Sequence, residues 1–584
     1  MHLKTKRLFF QAGWLSSMAL LLIFLTGCPP DKDVALNIRM EAAATICNPL
    51  LVSPGYSGYV AAQVFQTLGL PDPESLEMKP SLAKAIPKAR RVTEGAHQGE
   101  QAYDFVIHEA ATWDNGSPIT AEDFVFTLKV LLHQNLPTAF RGYYQYLSGV
   151  DVDAADPKKF TVYMRQFYIL AQEALCSTPV YPQYHYDPQG RLKNVTLADM
   201  LDPAKGKAFA ESENGKAFLE EFTSPKYTNE PASISASGPY RLQSMNGDQG
   251  VILVKKKNWW ADDASLANPL LGAYPDRLVY KIVKDESATE SLLQTEDLDI
   301  AVDLSMSRFK EMQQDTHLTR LYDFKTGWAP RYGRLLFNLH HEDSILADVQ
   351  VRRALAYIID YDYLINTIQQ GLAQPIIGPI HPKKPYYAKD VATYTYNATE
   401  AMRLLSQAGW ADTNNDGALD KMLNGRRQRL SLKMMVPNGN QTTQMTAESI
   451  SEKAKQIKVE IILDPQDISN ITKKTRQGDF QMASLGASTQ VGLDELNQYY
   501  HSGSADNRGR YRNIRLDSII DAIGTQENET ARNALYVEAQ RILHDDIPAL
   551  FLYSSSRRYI IAKKFKYVLA PYNAGFYEQL FQLQ

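Results

Sequence analysis

The sequence predicts an α/β protein that is large enough to bury more than one hydrophobic core. The chain has 584 residues, of which 44 % are hydrophobic and 22 % charged, which is a globular composition. An extended segment around Trp113 leads into a turn signal at Asn115-Gly116, because both residues tolerate the positive φ of a tight reversal. A helix start follows this turn, so strand and helix succeed each other within one short stretch.

The helix after this turn is predicted to begin at Thr120. Thr120 and Asp123 have the spacing of a capping box, in which two side chains satisfy backbone N–H groups at the start of a helix. The apolar residues that follow recur at helical spacing and form one face: Phe124, Val125, Leu128, Leu131 and Leu132.

The bulk composition excludes some function classes. A formal net charge of −4 and a pI of about 6.3 give the chain no general attraction to nucleic acid or to acidic lipid. The chain has 33 tyrosines, whose apolar ring and polar hydroxyl suit partly hydrated clefts. Tyrosine is equally common in cores and on β-rich surfaces. Nothing in the composition calls for a metal or a cofactor, and we expect neither.

The amino terminus predicts export. A basic start that ends at Arg7 precedes the apolar run Trp14–Leu25, which is too short for a stable transmembrane helix and is typical of a signal peptide over residues 1–27. Leu25-Thr26-Gly27-Cys28 resembles a bacterial lipobox, so Cys28 is the predicted lipidation site and residues 28–34 the tether. The alternative is an ordinary secretory signal with Cys28 incidental. No later stretch reaches about 18 apolar residues, so the remainder is expected to be soluble.

Cys47 and Cys176 are the only other cysteines. A pair in an exported protein can form a disulfide, but the sequence does not show whether their Cβ atoms meet. Both a disulfide and two buried free thiols remain open.

Several stretches resemble one protein family. The string from Trp113 to Phe126, WDNGSPITAEDFVF, is similar to the signature of the family 5 extracellular solute-binding proteins, which serve peptide, nickel and related ABC importers. Further similar stretches follow in the order in which the family has them: Ser237–Tyr240, Asn258–Trp260, Arg277–Val283, Leu292–Ile300, Leu335–Asn338, Asp348–Asp360, Leu404–Trp410, Lys473–Phe480 and Ile547–Tyr553.

The resemblance implies a two-lobed fold like that of type II periplasmic binding proteins (cluster C), with mixed sheets flanked by helices. It implies an N-terminal lobe over 35–284 that holds an extra subdomain over about 50–170. The C-terminal lobe would span 285–548, and residues 549–584 would return to the first lobe. The implied hinge residues are Val283, Lys284, Leu550 and Phe551.

The resemblance also implies a function. A cleft between the lobes would capture peptides and deliver them to an ABC permease, with a separate ATPase because the chain has no G-x-x-x-x-G-K-[ST] motif. The protein is expected to be a monomer, held to a bacterial membrane only by its lipid and facing the periplasm or the cell exterior. Enzyme motifs such as G-x-S-x-G and H-E-x-x-H are absent from the sequence. The alternatives are another cargo, including a metal-containing one at His340-His341, or a receptor lipoprotein that transports nothing.

The predicted ligand-binding residues come from the same resemblance. Thr489 stands where typical peptide binders have the Asp that pairs with a peptide's α-amino group. Either Asp494 or Glu495 replaces that Asp, or the ligand's amine is blocked, absent or held in another way. The candidate lining residues are Ser53, Gly55, Tyr56, Tyr143, Arg476, Gly486, Ala487, Ser488 and Thr489.

Two charged stretches carry predictions of their own. Arg352 lies in the first turn of a predicted helix, where a cation opposes the helix dipole, so we expect it to have an anionic partner such as Asp348, another protein carboxylate or an anionic ligand. Asp412–Asp420 resembles the start of a calcium loop, but Leu423 stands at the twelfth position, where a bidentate Glu is needed. A plain turn is the alternative.

Overall fold

A computed structural model describes residues 33–51, 55–138, 140–262, 268–340, 345–423, 425–571 and 575–584. The predicted signal peptide, Cys28 and most of the tether lie outside these ranges, as does Ser53. None of the helices in the described ranges is both long enough and apolar enough to cross a membrane.

The strands follow one another from the first described residues to the last. They are β1 (Ala35–Met40), β2 (Gly69–Pro71), β3 (Met78–Pro80), β4 (Arg90–Arg91), β5 (Gln101–Val106), β6 (Leu147–Val152), β7 (Lys159–Met164), β8 (Tyr240–Asn246), β9 (Gly250–Lys255), β10 (Arg277–Ile282), β11 (Ile300–Val302), β12 (Tyr322–Gly327), β13 (Arg331–Phe337), β14 (Ala373–Pro375), β15 (Asp420–Leu423), β16 (Arg426–Arg429), β17 (Ser431–Pro437), β18 (Glu460–Gln466), β19 (Met482–Ser488), β20 (Ala549–Ser555), β21 (Arg557–Ala562), β22 (Phe565–Lys566) and β23 (Gln582–Leu583).

The α-helices lie between these strands. They are α1 (Tyr56–Val64), α2 (Ala121–Leu132), α3 (Ala171–Ser177), α4 (Gln183–Tyr186), α5 (Leu197–Leu201), α6 (Pro203–Glu211), α7 (Glu213–Phe222), α8 (Pro225–Thr228), α9 (Glu286–Gln294), α10 (Met306–Met312), α11 (Thr316–Leu321), α12 (Val349–Ala356), α13 (Ala398–Gln407), α14 (Gln441–Gln456), α15 (Ile468–Gln477), α16 (Asn497–Tyr500), α17 (Ile514–Thr525) and α18 (Glu529–Asp546).

Two large mixed sheets organise the molecule. The first sheet has the strand order β12-β21-β11-β1-β10-β9-β8, in which β1 runs parallel to β10 and β11 while the other pairs are antiparallel. The second sheet has the order β14-β20-β13-β19-β17-β18, in which β17 runs parallel to β18 and β19 while the other pairs are antiparallel. Both sheets therefore combine parallel and antiparallel pairs, as the family resemblance implies.

A third sheet, β4-β5-β7-β6, lies within residues 90–164 and packs beside the first sheet. The turn and helix around Trp113 form here as predicted: Gly116 has a φ of +81° and Thr120 precedes α2. The Asp123 carboxylate accepts a hydrogen bond from the Thr120 backbone N–H at 2.9 Å and another from the Trp113 indole N–H at 3.2 Å. Asp123 thus joins the turn to the helix.

The chain passes twice between the two large sheets. The first passage runs from the end of β12 at Gly327 to the start of β13 at Arg331, and the second runs through Ser556, between β20 and β21. Among the described residues, one hydrophobic core lies within 335–552 on one face of the second sheet. A larger core surrounds the first and third sheets and reaches the opposite face of the second.

These passages lie later in the chain than the predicted hinge residues. Val283 and Lys284 directly follow β10, but β11 and β12 still pair within the first sheet. Leu550 and Phe551 lie inside β20, which pairs with β13. The short strand β11 contributes a single registered pair to β1, so its sheet membership is a long-range contact that local sequence does not show.

The predicted anionic partner of Arg352 is corrected by the structure. The Arg352 guanidinium donates to the backbone carbonyl of Asp546 at 2.6 and 2.9 Å and to those of Leu346 and Ala347 at 2.7 and 2.9 Å. Asp546 is the last residue of α18, where unpaired carbonyls carry partial negative charge. Arg352 therefore caps another helix and uses no carboxylate for these bonds.

Cys47 and Cys176 are both buried free thiols. Burial raises the pKa of each thiol to about 12, because the interior disfavours a thiolate.

Candidate ligand-binding cleft

A cavity of about 840 Å³ opens between the first and second sheets. Its walls come from the C-terminal end of β1 and from α1 on one side, and from β13, β19 and the start of α14 on the other. The two passages between the sheets border it through Arg331 and Ser555. We call this cavity the cleft.

One wall of the cleft is an open strand edge. Residues Ser484–Ser488 of β19 pair with β13 along one side, from Leu335 to Arg331. On the other side, only Met482 and Ala483 pair with β17, so the rest of β19 has no neighbouring strand among the described residues there. Gly486 adds space, because a Cβ placed on it would meet only the Tyr332 carbonyl oxygen, at 3.9 Å. Backbone N–H and C=O groups along this edge are available to a ligand.

A comparison with family models identifies the family. The model described as bacterial extracellular solute-binding proteins, family 5 Middle, matches residues 77–509. This chain belongs to the family 5 bacterial extracellular solute-binding proteins. The family consists of solute-binding proteins rather than enzymes, and the predicted family membership is confirmed.

Known family 5 proteins are similar along nearly the whole chain. The oligopeptide-binding protein AppA of Bacillus subtilis (strain 168) is 24 % identical over 567 residues, which cover 92 % of each protein. The structure of Bacillus subtilis AppA in complex with a nonapeptide superposes with a TM-score of 0.70 at 22 % identity and covers 94 % of this chain and 99 % of AppA. NikA of Brucella suis in complex with Fe(III)-EDTA gives a TM-score of 0.74 at 17 % identity and covers 94 % and 100 %. These likenesses confirm the predicted two-lobed α/β fold.

The structure of this family 5 protein brings most of the predicted lining residues together. Gly55 and Tyr56 line the cleft at the start of α1, and Gly486, Ala487 and Ser488 line it from β19. Their positions come from the start of a helix and the edge of a strand, both of which the family motifs locate along the chain.

Three predicted residues lie elsewhere. Tyr143 lines a separate cavity of about 260 Å³, beside Glu173 and Gln490. Arg476 is exposed on α15, away from the cleft. The Thr489 backbone N–H donates to the Pro330 carbonyl at 2.8 Å, so Thr489 secures the first passage between the sheets and does not line the cleft.

The two carboxylates that could replace the absent Asp also lie outside the cleft. Asp494 is buried, accepts a hydrogen bond from the Tyr386 hydroxyl at 2.9 Å and lies 3.6 Å from Lys384 Nζ. Burial raises its pKa. Glu495 lines a different small cavity. Neither residue is placed to meet a ligand in the cleft of this family 5 protein.

The charged residues of the cleft were not found from the sequence. Among the described lining residues are five arginines and three carboxyl groups, a formal excess of two positive charges in a chain whose net charge is −4: Arg39, Arg331, Arg334, Arg557, Arg558, Glu41, Asp303 and Glu578. Arg331 lies just before the family-like motif Leu335–Asn338. The position of that motif is the one sequence signal that could have pointed to this wall of the cleft.

Glu578 lines the cleft and forms no salt bridge among the described residues. Its carboxyl accepts a hydrogen bond from the Gln63 amide at 2.9 Å and faces the Tyr280 hydroxyl at 3.5 Å. Burial raises the pKa of Glu578 to about 8, because removal from water penalises the charged form. Glu578 is therefore mostly protonated at neutral pH, which increases the positive balance of the cleft.

No metal site is found in the described part of the chain: no three His, Cys, Asp or Glu side chains are grouped to hold an ion. Asp412 pairs with Lys458 Nζ at 2.9 Å and accepts the Gly417 N–H at 3.2 Å, so the calcium-like loop uses this carboxylate internally. His341 lies outside the described residues.

Proposed function

We propose that this family 5 protein captures peptides in the cleft and delivers them to the permease of an ABC importer. The open edge of β19 is the observation that carries the proposal. An extended peptide can add to such an edge through main-chain hydrogen bonds, which depend little on the peptide's sequence. The volume of the cleft leaves room for side chains and water around that main chain.

Capture would be coupled to closure of the two lobes. A guest that contacts β1 and α1 on one side and β19 on the other binds the closed form better than the open one, and so shifts the population toward closure. The hinge would lie at the two passages, around 327–331 and at Ser556, because few residues cross between the sheets there. The closed form would then be the one that docks on the permease, and a separate ATPase would supply energy.

Anchoring is the second part of the proposal. Cleavage before Cys28 and lipidation of its thiol would hold the mature protein on a bacterial membrane, facing the periplasm or the cell exterior. Several acyl chains on this one residue would suffice for stable membrane anchoring, because each buried CH₂ contributes roughly 0.8 kcal/mol to membrane binding. Cys28→Ser should remove incorporation of labelled palmitate and release the protein from the membrane fraction. Equal labelling of the variant would refute the anchor.

The peptide proposal is tested by ligand-dependent stabilisation. Purified protein should gain thermal stability with members of a peptide library, because a ligand that binds only the folded state adds RT ln(1 + [L]/Kd) to its stability. Mass spectrometry of the guest that copurifies in the cleft should find peptides. A chain that no peptide stabilises and that carries a non-peptide guest would overturn the proposed cargo while leaving the fold intact.

A further inference from the structure

The arginines of the cleft differ in the groups that their guanidinium groups contact. Three of them share the carboxylate of Asp303, whose oxygens lie 3.1 Å from Arg331 Nη2, 3.7 Å from Arg557 Nε and 3.8 Å from Arg558 Nη2. A fourth, Arg39, donates to backbone carbonyls, including that of Val283 at 3.0 Å. Each of these four has a structural role in the molecule.

Arg334 has neither a carboxylate nor a backbone carbonyl as a hydrogen-bond partner among the described residues. The residue is 6 % exposed, and no described carboxylate lies within 4 Å of its guanidinium. The Arg334 Nη1 donates to the Tyr500 hydroxyl at 3.2 Å, and its Nε is buried without a hydrogen-bond partner. A buried guanidinium with an unused donor is costly unless an anion completes it.

The surroundings of Arg334 hold the cation in place. Its guanidinium lies 5.1 Å from the centre of the Tyr499 ring and 5.9 Å from that of Tyr332. The Tyr332 and Tyr500 hydroxyls are 2.9 Å apart, so Tyr332, Arg334 and Tyr500 form one connected polar group. Tyr332, Arg334 and Tyr499 all line the cleft. The rings favour the positive charge and restrict the side chain without supplying a negative charge.

Arg334 is also set in the middle of the second sheet. It pairs with Leu485 of β19 and with Phe551 of β20, one register step from the open edge at Gly486. A guest paired to the open edge of β19 would lie two strand spacings, roughly 10 Å, from the β13 backbone. The long Arg334 side chain lines the same cleft and so faces that guest. A planar guanidinium in this setting suits a carboxylate or a phosphate, whose two oxygens match its paired donors.

We propose that Arg334 binds an oxyanionic group, a carboxylate or a phosphate, of the guest in the cleft, with Tyr332 and Tyr499 as its walls. This inference rests on the proposed capture of a guest in the cleft and adds the chemical class of that guest. It makes the cargo anionic at one defined point, and it accounts for a cleft that is positive in an acidic chain. A peptide would supply the group as its terminal carboxylate or as an acidic side chain.

The test compares matched probes on the full-length protein by isothermal titration. One pair is pentaalanine with a free carboxylate and its C-terminal amide. A second pair is Ala-Ala-Glu-Ala-Ala-amide and Ala-Ala-Gln-Ala-Ala-amide. Glutarate and inorganic phosphate serve as non-peptide anions. The wild type should bind the anionic member of at least one pair roughly 10- to 100-fold more tightly than the neutral member.

Arg334→Met should abolish that preference and leave binding of the neutral member within about twofold, since only the charged contact is lost. Arg334→Lys should keep part of the preference, because it retains the charge but not the planar pair of donors. Arg403→Met removes an arginine that pairs with Glu400 on α13, outside the cleft, and should leave the preference unchanged. If Arg334→Met does not fold, a severalfold drop of the preference in Arg334→Lys carries the test.

Equal binding of both members of both pairs to the wild type, together with no binding of glutarate or phosphate, would overturn the inference. A preference that survives in Arg334→Met would also overturn it. Arg334-dependent binding of glutarate or phosphate, with no peptide bound, would support the anionic site and refute the peptide cargo. Tight but charge-independent peptide binding would support the peptide cargo and refute the anionic site at Arg334.

Discussion

Asp303 and Arg331 form an ion pair across the first passage between the two sheets, with 3.1 Å between Asp303 Oδ2 and Arg331 Nη2. Asp303 directly follows β11 in the first sheet, and Arg331 is the first residue of β13 in the second. The same carboxylate accepts the backbone N–H of Arg558, just past the second passage. One side chain therefore ties both passages together beside the cleft.

Asp303→Asn should destabilise the protein by roughly 1–3 kcal/mol, because three arginines would lose their shared counter-charge. Asn suits the backbone as well as Asp does, since residue 303 has a φ of +56° and both residues tolerate this conformation. Urea unfolding measures the change. Asp390→Asn is the matched control, as it breaks an exposed ion pair with Arg541 and should change stability little. Equal effects of the two variants would contradict the role given to Asp303.

Glu578→Gln should change how stability depends on pH. The folded-state pKa of Glu578 is raised from its ordinary value of 4.5 to about 8, so the folded chain holds this proton more tightly than the unfolded chain. The resulting stabilisation is fully present below about pH 4.5 and is lost as pH rises through about 8. Gln resembles the protonated acid and does not titrate.

The measurement for Glu578 is urea unfolding of both proteins from pH 4.5 to 9. The wild type should lose stability relative to Glu578→Gln as pH rises across this window, and the difference should level off above about pH 8. A difference that stays constant with pH would show that Glu578 does not carry this proton.

Gly486→Trp should block the cleft without unfolding the protein. Gly486 is exposed at the open edge of β19, and a side chain there would extend into the cleft. Peptide affinity should fall at least about tenfold, which corresponds to about 1.4 kcal/mol, while the melting temperature without ligand stays close to that of the wild type. Gly486→Ala is the control and should bind peptides normally. Unchanged affinity in Gly486→Trp would place the peptide elsewhere.

Arg352→Met should destabilise the second lobe by roughly 2–4 kcal/mol, because it leaves carbonyls at the end of α18 and in residues 346–347 without their donor. Arg353→Met, which removes an exposed hydrogen bond to the Asp545 carbonyl, should cost much less. Chemical unfolding of both variants compares them. Equal losses would mean that the number of carbonyls bound by Arg352 has no energetic weight.

The buried thiols should be unreactive while the protein is folded. Cys47 and Cys176 are fully buried, and their raised pKa values suppress the thiolate that reacts with disulfide reagents. In a Cys28→Ser variant, Ellman's reagent at pH 8 should react with neither thiol in the native state and with both in urea. Rapid reaction of either thiol in native protein would contradict the buried position.

Local signals were sufficient for the turn at Gly116, the helix start at Thr120 and the order of motifs that indicates the family. Each depends on residues close together in the chain, whose φ preferences and capping bonds act over one or two turns. The cleft-lining positions Gly55 and Gly486 were accessible for the same reason, because they belong to a helix start and a strand end that the motifs locate.

Long-range pairing decided the rest. The two passages lie beyond Val283 and Phe551 because β11 and β12 pair within the first sheet and β20 continues along β13. Residues close in sequence do not indicate these strand pairings. Arg352 meets the far end of α18 instead of a carboxylate, and Asp494 is enclosed with Lys384 away from the cleft. Arg334 is one arginine among many in the sequence. Only the packing of Tyr332, Tyr499 and Tyr500 around it shows that its charge is buried at the cleft without a paired carboxylate among the described residues.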